Sequence, residues 1–292
     1  MKVDNAIILA AGTGSRFAPL SYEKPKALVE VKGEVLIERQ IQQLIDAGIP
    51  EIFIVTGYKS DQFEYLQGKY GVKLIYNSEY LTRNNNGSIW TAKDVLKNSY
   101  ICSADNYFIS NPFEREVDNA YYAAVYADGY VDEWCMEEDA EGYISSVTIG
   151  GDNAWYMFGH TFWSEEFSRK FLEILEAEYA LPETAGKLWE KIFMEHLDIL
   201  KMKLRKYETD VIFEFDTLNE LREFDESYKS DTRSELIKKS AGELGVAEEM
   251  IINICSLKSD NMAADGFEFD CGENHYCYLY ESGTLLPAKA TD

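Results

Sequence analysis

The chain has few residues of the kinds that staple a fold or anchor it in a membrane. Its five cysteines, an odd number scattered over 292 residues, match neither a disulfide framework nor a zinc-binding pattern. The three histidines stand beside no motif, and we expect them to be structural. No apolar run approaches the roughly 20 residues of a membrane span, and no charged leader precedes an apolar core. These absences predict a cytoplasmic protein with reduced thiols.

Basic residues are also scarce relative to acidic ones. The chain has 28 Lys+Arg against 52 Asp+Glu, a formal net charge of −24. Residues 1–92 contain ten of each, so the remaining 18 basic and 42 acidic residues place the whole excess after residue 92. An acidic surface repels a nucleic-acid backbone, so we expect no nucleic-acid partner and no membrane partner. Small cationic or metal-bridged ligands are the natural partners that remain, although most of the charge is accounted for as a solubilising surface.

The chain does have a phosphate-binding pattern near its start. An apolar run, Ala6–Ala11, reads as a buried parallel strand, and Gly12-Thr13-Gly14 follows it at once. Glycines let backbone N–H groups approach phosphate oxygens. Arg16 can fork two of those oxygens, and Lys24 and Lys26 add point charges. The pattern is neither a dinucleotide fingerprint nor a Walker loop, and an ordinary glycine turn does not explain the three cations.

The elements after this loop alternate as in a doubly wound sheet. Helical spacing of apolar residues runs from Leu36 to Gly48, and Glu51–Gly57 reads as a second buried strand. A helix over Asp61–Lys69 then leads to a strand over Val72–Tyr76. We therefore predict an α/β protein with a three-layer, doubly wound sheet. Its ligands are expected outside the carboxyl ends of the strands, where the glycine loop lies.

Further elements continue the sheet, with some antiparallel pairing. The predicted strands are Ser99–Ala104, Ala120–Tyr126, Tyr143–Ile149, Ala154–Trp163 and Val211–Asp216, and the predicted helices are Ile89–Lys97, Glu165–Tyr179, Thr184–His196 and Leu218–Tyr228.

Carboxylates follow two of these strands. Asp105 comes directly after the strand that begins at Ser99, and Asp216 ends the strand that begins at Val211. Carboxylate oxygens at a phosphate-binding edge are the ligands that Mg²⁺ prefers. If the two strands are neighbours, both side chains can reach one ion; the alternative for each is an exposed loop aspartate.

Polar residues also open the helix after residue 84. Amides and a hydroxyl in Asn84–Ser88 suit capping of the helix, recognition of a nucleobase edge, or both.

The combination of these motifs resembles a known family. Leu-Ala-Ala-Gly-x-Gly-Ser-Arg-Phe-x-Pro-Leu with Lys-Pro-Lys resembles the signature of nucleotidyltransferases, and within them the chain is similar to the bacterial CTP:phosphocholine cytidylyltransferases. The resemblance runs from Met1 to about Tyr228. It includes Gly57–Leu66, Ala104-Asp-Asn-Tyr, Glu133-Trp134 and Glu214-Phe-Asp216, and it departs at Ser103, where an acidic residue is usual.

The resemblance implies a mixed, mainly parallel sheet and Mg²⁺-dependent transfer of CMP from CTP to phosphocholine. The phosphate oxygen attacks the α-phosphorus and pyrophosphate leaves. The implied site residues are catalytic Arg16 and Lys26, metal-binding Asp105 and Asp216, and nucleotide-binding Leu9, Ala10, Ala11, Gly12, Thr13, Gly14, Asn85, Ser88 and Ala104. A phosphomonoester is already ionised at neutral pH, so no general base is needed.

Aromatic residues point to the acceptor. Trp134 beside Glu133, with Tyr107 and Tyr126, can cage a quaternary ammonium through cation–π contacts, and Trp163 and Trp189 are further candidates. With 20 Tyr and 5 Trp in the chain, the alternative is that these rings are core residues. Two other functions stay open. One is the same chemistry on phosphoethanolamine, 2-aminoethylphosphonate or a sugar 1-phosphate, and the other is a non-catalytic nucleotide-binding regulator.

Residues 229–292 lie beyond this resemblance, so we predict a nucleotidyltransferase domain over 1–228 and a small α+β appendage after it. A helix capped by Asp231 or Thr232 ends at Gly245, and strands are predicted over Met250–Cys255, Phe267–Cys271 and Tyr276–Tyr280. The order resembles the start of a choline kinase amino-terminal lobe, but Ser259-Asp260-Asn261 replaces its glycine-rich loop. We expect no kinase activity, and packing on the main domain or in a homodimer.

Overall fold

The computed structural model describes residues 1–258 and 264–288. Seventeen strands lie within these residues: β1 Asn5–Ala10, β2 Glu30–Val31, β3 Glu34–Val35, β4 Ile52–Thr56, β5 Lys73–Tyr76, β6 Ser99–Ser103, β7 Asn106–Phe108, β8 Tyr121–Tyr126, β9 Tyr130–Glu138, β10 Ile144–Asp152, β11 Trp155–Trp163, β12 Lys203–Tyr207, β13 Ile212–Glu214, β14 Ile251–Lys258, β15 Ala264–Cys271, β16 Asn274–Leu279 and β17 Thr284–Ala288.

Ten α-helices lie in the same ranges: α1 Leu20–Glu23, α2 Leu36–Asp46, α3 Tyr65–Tyr70, α4 Asn85–Thr91, α5 Glu165–Glu178, α6 Pro182–Ala185, α7 Trp189–Glu195, α8 Leu218–Phe224, α9 Ser227–Ser230 and α10 Glu235–Leu244. No helix of these described residues has both the length and the apolar character needed to cross a bilayer.

The chain divides into two compact units. The first comprises Met1–Gly12 and Ile37–Glu214, and the second comprises Thr13–Leu36 and the described part of Phe215–Asp292. The division passes through the glycine loop, so each unit carries part of the predicted phosphate-binding sequence. The two units are described in turn.

The first unit is built on a nine-stranded mixed sheet. Its order is β10-β9-β11-β6-β1-β4-β5, and β8 and β12 extend it from β11. β6, β1, β4 and β5 are parallel, while β8, β9 and β6 pair antiparallel with β11. β1 and β4 are almost wholly buried, as expected for parallel strands covered on both faces. This mixed, mainly parallel sheet, with a separate sheet of C-terminal strands, confirms the predicted fold class.

Local capping explains most differences from the predicted helices of this unit. The predicted helix Ile89–Lys97 instead begins at Asn85, because the Asn84 side chain accepts a hydrogen bond from the Asn85 N–H at 2.8 Å. The predicted helix Thr184–His196 is two helices, α6 and α7, interrupted around Gly186.

Strands β9 and β12 were not predicted. β9 reads as a polar segment because its outward residues are exposed, although Cys135 and Met136 are buried.

The second unit joins the segment after the glycine loop to the end of the chain. Its C-terminal strands form an antiparallel sheet in the order β14-β15-β16-β17, whose buried residues include Phe267, Phe269 and Tyr278. The predicted helix Leu218–Tyr228 is α8 and α9, since it stops at Phe224.

The predicted C-terminal elements are present with one corrected cap. Ser234, not Asp231 or Thr232, caps α10 by accepting a hydrogen bond from the Ile237 N–H at 3.2 Å. Gly245 ends α10 in the left-handed region, as predicted, at φ +69°. β17 was not predicted, and the Ser259-Asp260-Asn261 segment lies outside the described residues.

Gly57, directly after β4, is the glycine of the first unit that steric contact most clearly requires. A Cβ there would lie 2.6 Å from Tyr80 Cβ and 2.8 Å from the Ala11 carbonyl oxygen. We predict that Gly57→Ala lowers the free energy of unfolding by about 1–3 kcal/mol because the backbone must shift. Gly68→Ala is the matched control: no atom lies within 4 Å of its Cβ position in α3, so it should stabilise by roughly 0.5–1 kcal/mol. Urea titration of both variants tests this, and equal shifts would contradict it.

Candidate active site

In the first unit, the start of the glycine loop is fixed at the carboxyl end of β1. The Leu9 carbonyl accepts a hydrogen bond from the Ala104 N–H at 3.3 Å, and the Ala11 carbonyl accepts one from the Tyr58 N–H at 3.0 Å. The loop is thereby tied to the chain that follows β6 on one side and to the chain that follows β4 on the other. Because these strands are parallel, their carboxyl ends meet at one edge of the sheet. The predicted nucleotide-binding residues Leu9–Gly12 lie at that edge, as does Ala104.

In the second unit, the rest of the loop turns sharply. Gly14 has φ +60°, and the Phe17 N–H bonds back to its carbonyl at 2.8 Å. A Cβ on Gly14 would lie 3.3 Å from Lys26 Cβ and 3.5 Å from Ser21 Cβ. A side chain at residue 14 is therefore disfavoured both by the backbone conformation and by Lys26, which packs against the loop.

Asp216 is the partner of both predicted catalytic cations. Its carboxylate lies 2.6 Å from Arg16 Nη1 and 3.2 Å from Lys26 Nζ. The Lys26 side chain is only 11% exposed, whereas that of Arg16 is 68% exposed. The structure thus brings Arg16, Lys26 and Asp216 together, with Lys26 as the fixed member and Arg16 as the member that can move into solvent.

The backbone that carries Asp216 is fixed by the capping of α8. Thr217 Oγ1 accepts from the Glu220 N–H, and Glu220 Oε2 accepts from the N–H groups of Thr217 and Asp216 at 3.0 and 2.6 Å. This is the reciprocal pattern of a capping box.

Asp105 lies in the turn after β6 of the first unit. The Ser103 hydroxyl donates a hydrogen bond to Asp105 Oδ1 at 2.6 Å, so the serine that departs from the family pattern orients the carboxylate instead of adding a charge. The neighbouring Asn106 donates from Nδ2 to Glu214 Oε2 at 3.0 Å, and β7 and β13 pair these two residues directly. Glu214 is therefore held beside the turn that carries Asp105.

Glu214 is a site candidate that the sequence reasoning missed as a ligand. The signal was present, because Glu214 precedes Asp216 by two residues in the same motif. Asp105 and Glu214 offer only hard oxygen donors, as does Asp216, and such donors fit a magnesium ion. Magnesium binding by these residues remains a prediction.

The amides before and within α4 are engaged with other parts of the first unit. Asn85 Nδ2 donates to Glu190 Oε2 at 2.9 Å, and its Oδ1 accepts from the Trp189 N–H at 2.6 Å. Ser88 is buried and its hydroxyl accepts from Asn77 Nδ2 at 3.2 Å. These contacts support the capping and packing alternative for Asn85 and Ser88, and their contact with a nucleobase stays a prediction.

The predicted aromatic residues do not form one cage, although the rings of Trp163 and Trp189 meet edge to face with centroids 5.0 Å apart. Trp163 is fully buried, with its ring centroid 4.6 Å from that of Phe171, and it belongs to the core. Tyr107 is buried beneath the Arg39 guanidinium, 4.6 Å from the ring centroid. Tyr126 is 38% exposed and its ring lies 5.3 Å from that of Trp155. The burial of Trp163 and Tyr107 supports the core alternative for both.

Trp134 and Glu133 are neighbours in β9, where the register against β10 shifts between Trp134 and Val131, as at a β-bulge. Trp134 lies two residues before the buried Met136 and shares its face. It is partly buried against the core cluster that includes Tyr122 and Trp189. Trp155, which pairs with Met136 across β9 and β11, packs on the same cluster. Trp134 and Trp155 therefore pack on the same hydrophobic core as Tyr122 and Trp189.

Glu190 is the carboxylate on this aromatic side, and the sequence reasoning missed it. It accepts hydrogen bonds from Asn85 Nδ2 at 2.9 Å and from the Tyr122 hydroxyl at 3.4 Å. The Tyr122 ring stacks on that of Trp189, the residue before Glu190, with centroids 5.7 Å apart. Burial of the carboxyl group raises the pKa of Glu190 to about 7. The partners that allow this carboxyl group to be buried, Asn85 and Tyr122, are distant from it in the sequence. Residue spacing therefore gives no sign of its role.

His160 fits the structural role expected of the histidines. It is buried against Tyr121, whose hydroxyl lies 2.8 Å from Nε2, and burial together with the nearby Arg205 charge lowers the pKa of His160 to about 3. A neutral, buried imidazole of this kind is a packing group, and it does not exchange protons near neutral pH.

Comparison with known proteins gives consistent results. The nucleotidyl transferase family model matches residues 5–142. The choline-phosphate cytidylyltransferase of Streptococcus pneumoniae is 33% identical over 226 residues, covering 77% of this chain and 99% of the relative. The 2-aminoethylphosphonate cytidylyltransferase of Lancefieldella rimae is 34% identical over 229 residues, covering 77% of this chain and 93% of the relative.

Solved structures show the same relationship. That of CTP:phosphocholine cytidylyltransferase from S. pneumoniae superposes with a TM-score of 0.74 at 32% identity, covering 78% of this chain and 99% of that one. The inositol-1-phosphate CTP transferase of T. maritima has a TM-score of 0.60 at 14% identity, covering 75% of this chain and 92% of that one, and so shares the fold.

The fold, the glycine loop with its cations and these matches define the class: the chain belongs to the nucleotidyltransferase family and is an enzyme of that family. Within the family, relatives similar over nearly their whole length are choline-phosphate and 2-aminoethylphosphonate cytidylyltransferases. The sequence-based assignment to this group is thereby confirmed.

The raised pKa of Glu190 predicts how stability depends on pH. Because the native carboxyl group keeps its proton up to about pH 7, while the unfolded one loses it near its ordinary value, the free energy of unfolding falls as pH rises between those values. Glu190→Gln removes this dependence. Relative to the variant, the wild type should lose up to about 3 kcal/mol between pH 4.5 and pH 8 in urea titrations. Parallel pH profiles for the two proteins would contradict the burial of this group.

Proposed function

We propose that the protein is a magnesium-dependent cytidylyltransferase that transfers CMP from CTP to phosphocholine, giving CDP-choline and pyrophosphate. The observation that supports the proposal most strongly is the 33% sequence identity with a cytidylyltransferase over nearly its whole length. The glycine loop adds to it, because its arginine and lysine both contact Asp216. An oxygen of the acceptor phosphate attacks the α-phosphorus, and the bond to the bridging oxygen of the β-phosphate breaks. That oxygen leaves with pyrophosphate.

The loop residues carry the electrostatic part of this reaction. Backbone N–H groups of Ala11–Gly14 bind the triphosphate. Arg16 and Lys26 neutralise charge that accumulates on its oxygens as the bond to the leaving group lengthens. Lys26 suits the fixed position because its side chain is almost buried, and Arg16 suits a position that adapts to the bound nucleotide because its side chain is largely exposed.

The carboxylates are assigned to the metal. Asp105 and Asp216 would hold Mg²⁺, with Glu214 as a third oxygen donor. When bound, the ion offsets the charge of the triphosphate and orients its α-phosphate. Ser103 and the Glu220 cap keep the two aspartates in fixed orientations.

The acceptor subsite is assigned to the face of the sheet that carries Trp134. Trp134 and Trp155 are partly buried there and offer ring faces to a quaternary ammonium, at about 0.5–2 kcal/mol for each contact. Glu190, beside Tyr122, supplies the negative charge once the cation of the bound acceptor lowers the pKa of its carboxyl group and the proton is lost. A primary ammonium, as in 2-aminoethylphosphonate, is the second candidate, because a carboxylate with hydrogen-bonding neighbours also suits it and one relative carries that name.

A substrate matrix tests the proposal directly. Pyrophosphate release should be measured for each of the four nucleoside triphosphates against phosphocholine, phosphoethanolamine, 2-aminoethylphosphonate and glucose 1-phosphate, with and without Mg²⁺. We expect CTP with phosphocholine and Mg²⁺ to give the highest kcat/KM. A higher kcat/KM for a sugar phosphate would contradict the proposal. A higher kcat/KM for 2-aminoethylphosphonate would identify that compound as the acceptor in place of phosphocholine.

The metal assignment predicts that Asp105→Asn and Asp216→Asn each lower kcat with Mg²⁺ by at least about 100-fold, since each removes a charged oxygen ligand. Neither substitution empties a core, so the melting temperature should change little. Asp94→Asn is the matched control, because Asp94 is exposed in the turn that follows α4. Turnover within tenfold of the wild type in either active-site variant would contradict the assignment.

The acceptor assignment predicts a split between the two substrates. Trp134→Ala and Glu190→Gln should each raise the KM for phosphocholine by roughly tenfold, the equivalent of one or two cation contacts, with little change in the KM for CTP. Glu133→Gln is the matched control, because Glu133 is the exposed acidic neighbour of Trp134 in β9. Equal increases in the KM for both substrates would show that Trp134 and Glu190 are structural. A larger increase in the KM for phosphocholine in Glu133→Gln would assign the negative charge of the subsite to Glu133 instead.

A further inference from the structure

The C-terminal segment packs on the segment that carries the loop lysines. Residues 13–36 and the described residues after 214 form one compact unit, and β14 contacts the short helical turn Ser15–Phe17, which includes Arg16. The contacts are specific side-chain contacts, and they converge on the residues beside Lys24 and Lys26.

The first such contact is made by Glu23, the residue before Lys24. Its carboxylate accepts hydrogen bonds from the Ser234 hydroxyl at 2.6 Å and from the N–H groups of Glu235 and Leu236 at 3.1 and 3.0 Å. It thereby satisfies two of the N–H groups that the first turn of α10 leaves unpaired, and its charge lies at the positive end of that helix. A residue next to the nucleotide-binding lysines is thus fixed by a helix more than 200 residues later in the chain.

The second contact is aromatic. The ring of Tyr22, in the same short helix α1, stacks on that of Tyr280 after β16, with centroids 3.8 Å apart and planes 14° apart. Together with Glu23, it attaches α1 to both the helix and the sheet of the C-terminal segment.

The third set of contacts holds the element that begins after Asp216. Arg222 in α8 is buried, and its guanidinium donates to the carbonyl oxygens of Tyr228, Ile251 and Glu248 at 3.2, 2.6 and 3.1 Å. A buried guanidinium with three acceptors is costly to displace. The C-terminal segment therefore holds both the segment that leads into Lys26 and the helix that follows Asp216.

We propose that the described residues 232–258 and 264–288 position the phosphate-binding loop. By contacting Tyr22 and Glu23 on one side and Arg222 on the other, they keep Lys26 within reach of Asp216 and of the nucleotide. These residues contribute no catalytic group. The inference goes beyond the proposed function, because it holds for any nucleoside triphosphate bound at this loop.

The test compares Tyr280→Ala with Tyr280→Phe, which keeps the ring, and Glu23→Ala with Lys238→Ala. Lys238 lies on α10 and pairs with the exposed Asp231 and Glu235, so its removal leaves α1 untouched. Amide hydrogen exchange of residues 15–28 is measured in the full-length chain without substrates. We expect exchange there to rise by up to about tenfold in Tyr280→Ala and Glu23→Ala, the loss of one stacked pair or one cap, and to stay at the wild-type level in the controls. Exchange of β4 should not change.

Kinetics supply the second measurement. The KM for the nucleotide should rise in Tyr280→Ala and Glu23→Ala, while the KM for the acceptor stays within twofold of the wild type, because only the loop is loosened. If Tyr280→Ala does not fold, Tyr280→Leu, which keeps bulk without a stacking ring, is compared with Tyr280→Phe in the same way.

Unchanged exchange of residues 15–28 in the alanine variants would overturn the proposal, as would a chain ending at Tyr228 that keeps full activity. A wild type that does not use CTP would refute the proposed function alone, since the exchange measurement involves no substrate.

Discussion

The chemistry of this protein depends on where one carboxylate holds two cations. Asp216 lies 2.6 Å from Arg16 and 3.2 Å from Lys26, the two cations of the loop that we propose binds the triphosphate. A flexible lysine would contribute little to such a loop, because immobilising it costs side-chain entropy on binding. Here the side-chain entropy of Lys26 is lost on folding, because Lys26 is almost buried and the capping box fixes the backbone of its partner Asp216. The loop is therefore organised before the nucleotide arrives.

The second constraint is the placement of negative charge away from water. The chain is strongly acidic, but a carboxylate exposed to solvent does not by itself indicate a ligand-binding site. Glu190 differs, because its carboxyl group lies next to the Tyr122 hydroxyl away from water, and its raised pKa reports the free-energy cost of ionising it there. A ligand that brings a positive charge recovers part of this cost. In the proposed function, selectivity for a cationic acceptor rests on the burial of Glu190 as much as on the aromatic rings.

Sequence reasoning found what local patterns encode, and it failed where a role depends on distant partners. The parallel strands and the glycine loop have short-range signatures, and the structure contains the parallel strands where they were predicted. Strand β9 was missed because its exposed residues hide the alternation expected of a strand. Glu190 and the contacts of Glu23 join residues about 100 and 200 positions apart, which spacing cannot show.

The proposed function requires that this loop support transfer of CMP to an acceptor selected by its positive charge. The most direct measurement is a competition in which phosphocholine, 2-aminoethylphosphonate and glucose 1-phosphate are present at equal concentration with CTP and Mg²⁺, and the products are resolved by phosphorus NMR. The account predicts that CDP-choline is the main product and that no sugar nucleotide forms. A sugar nucleotide as the main product would contradict it.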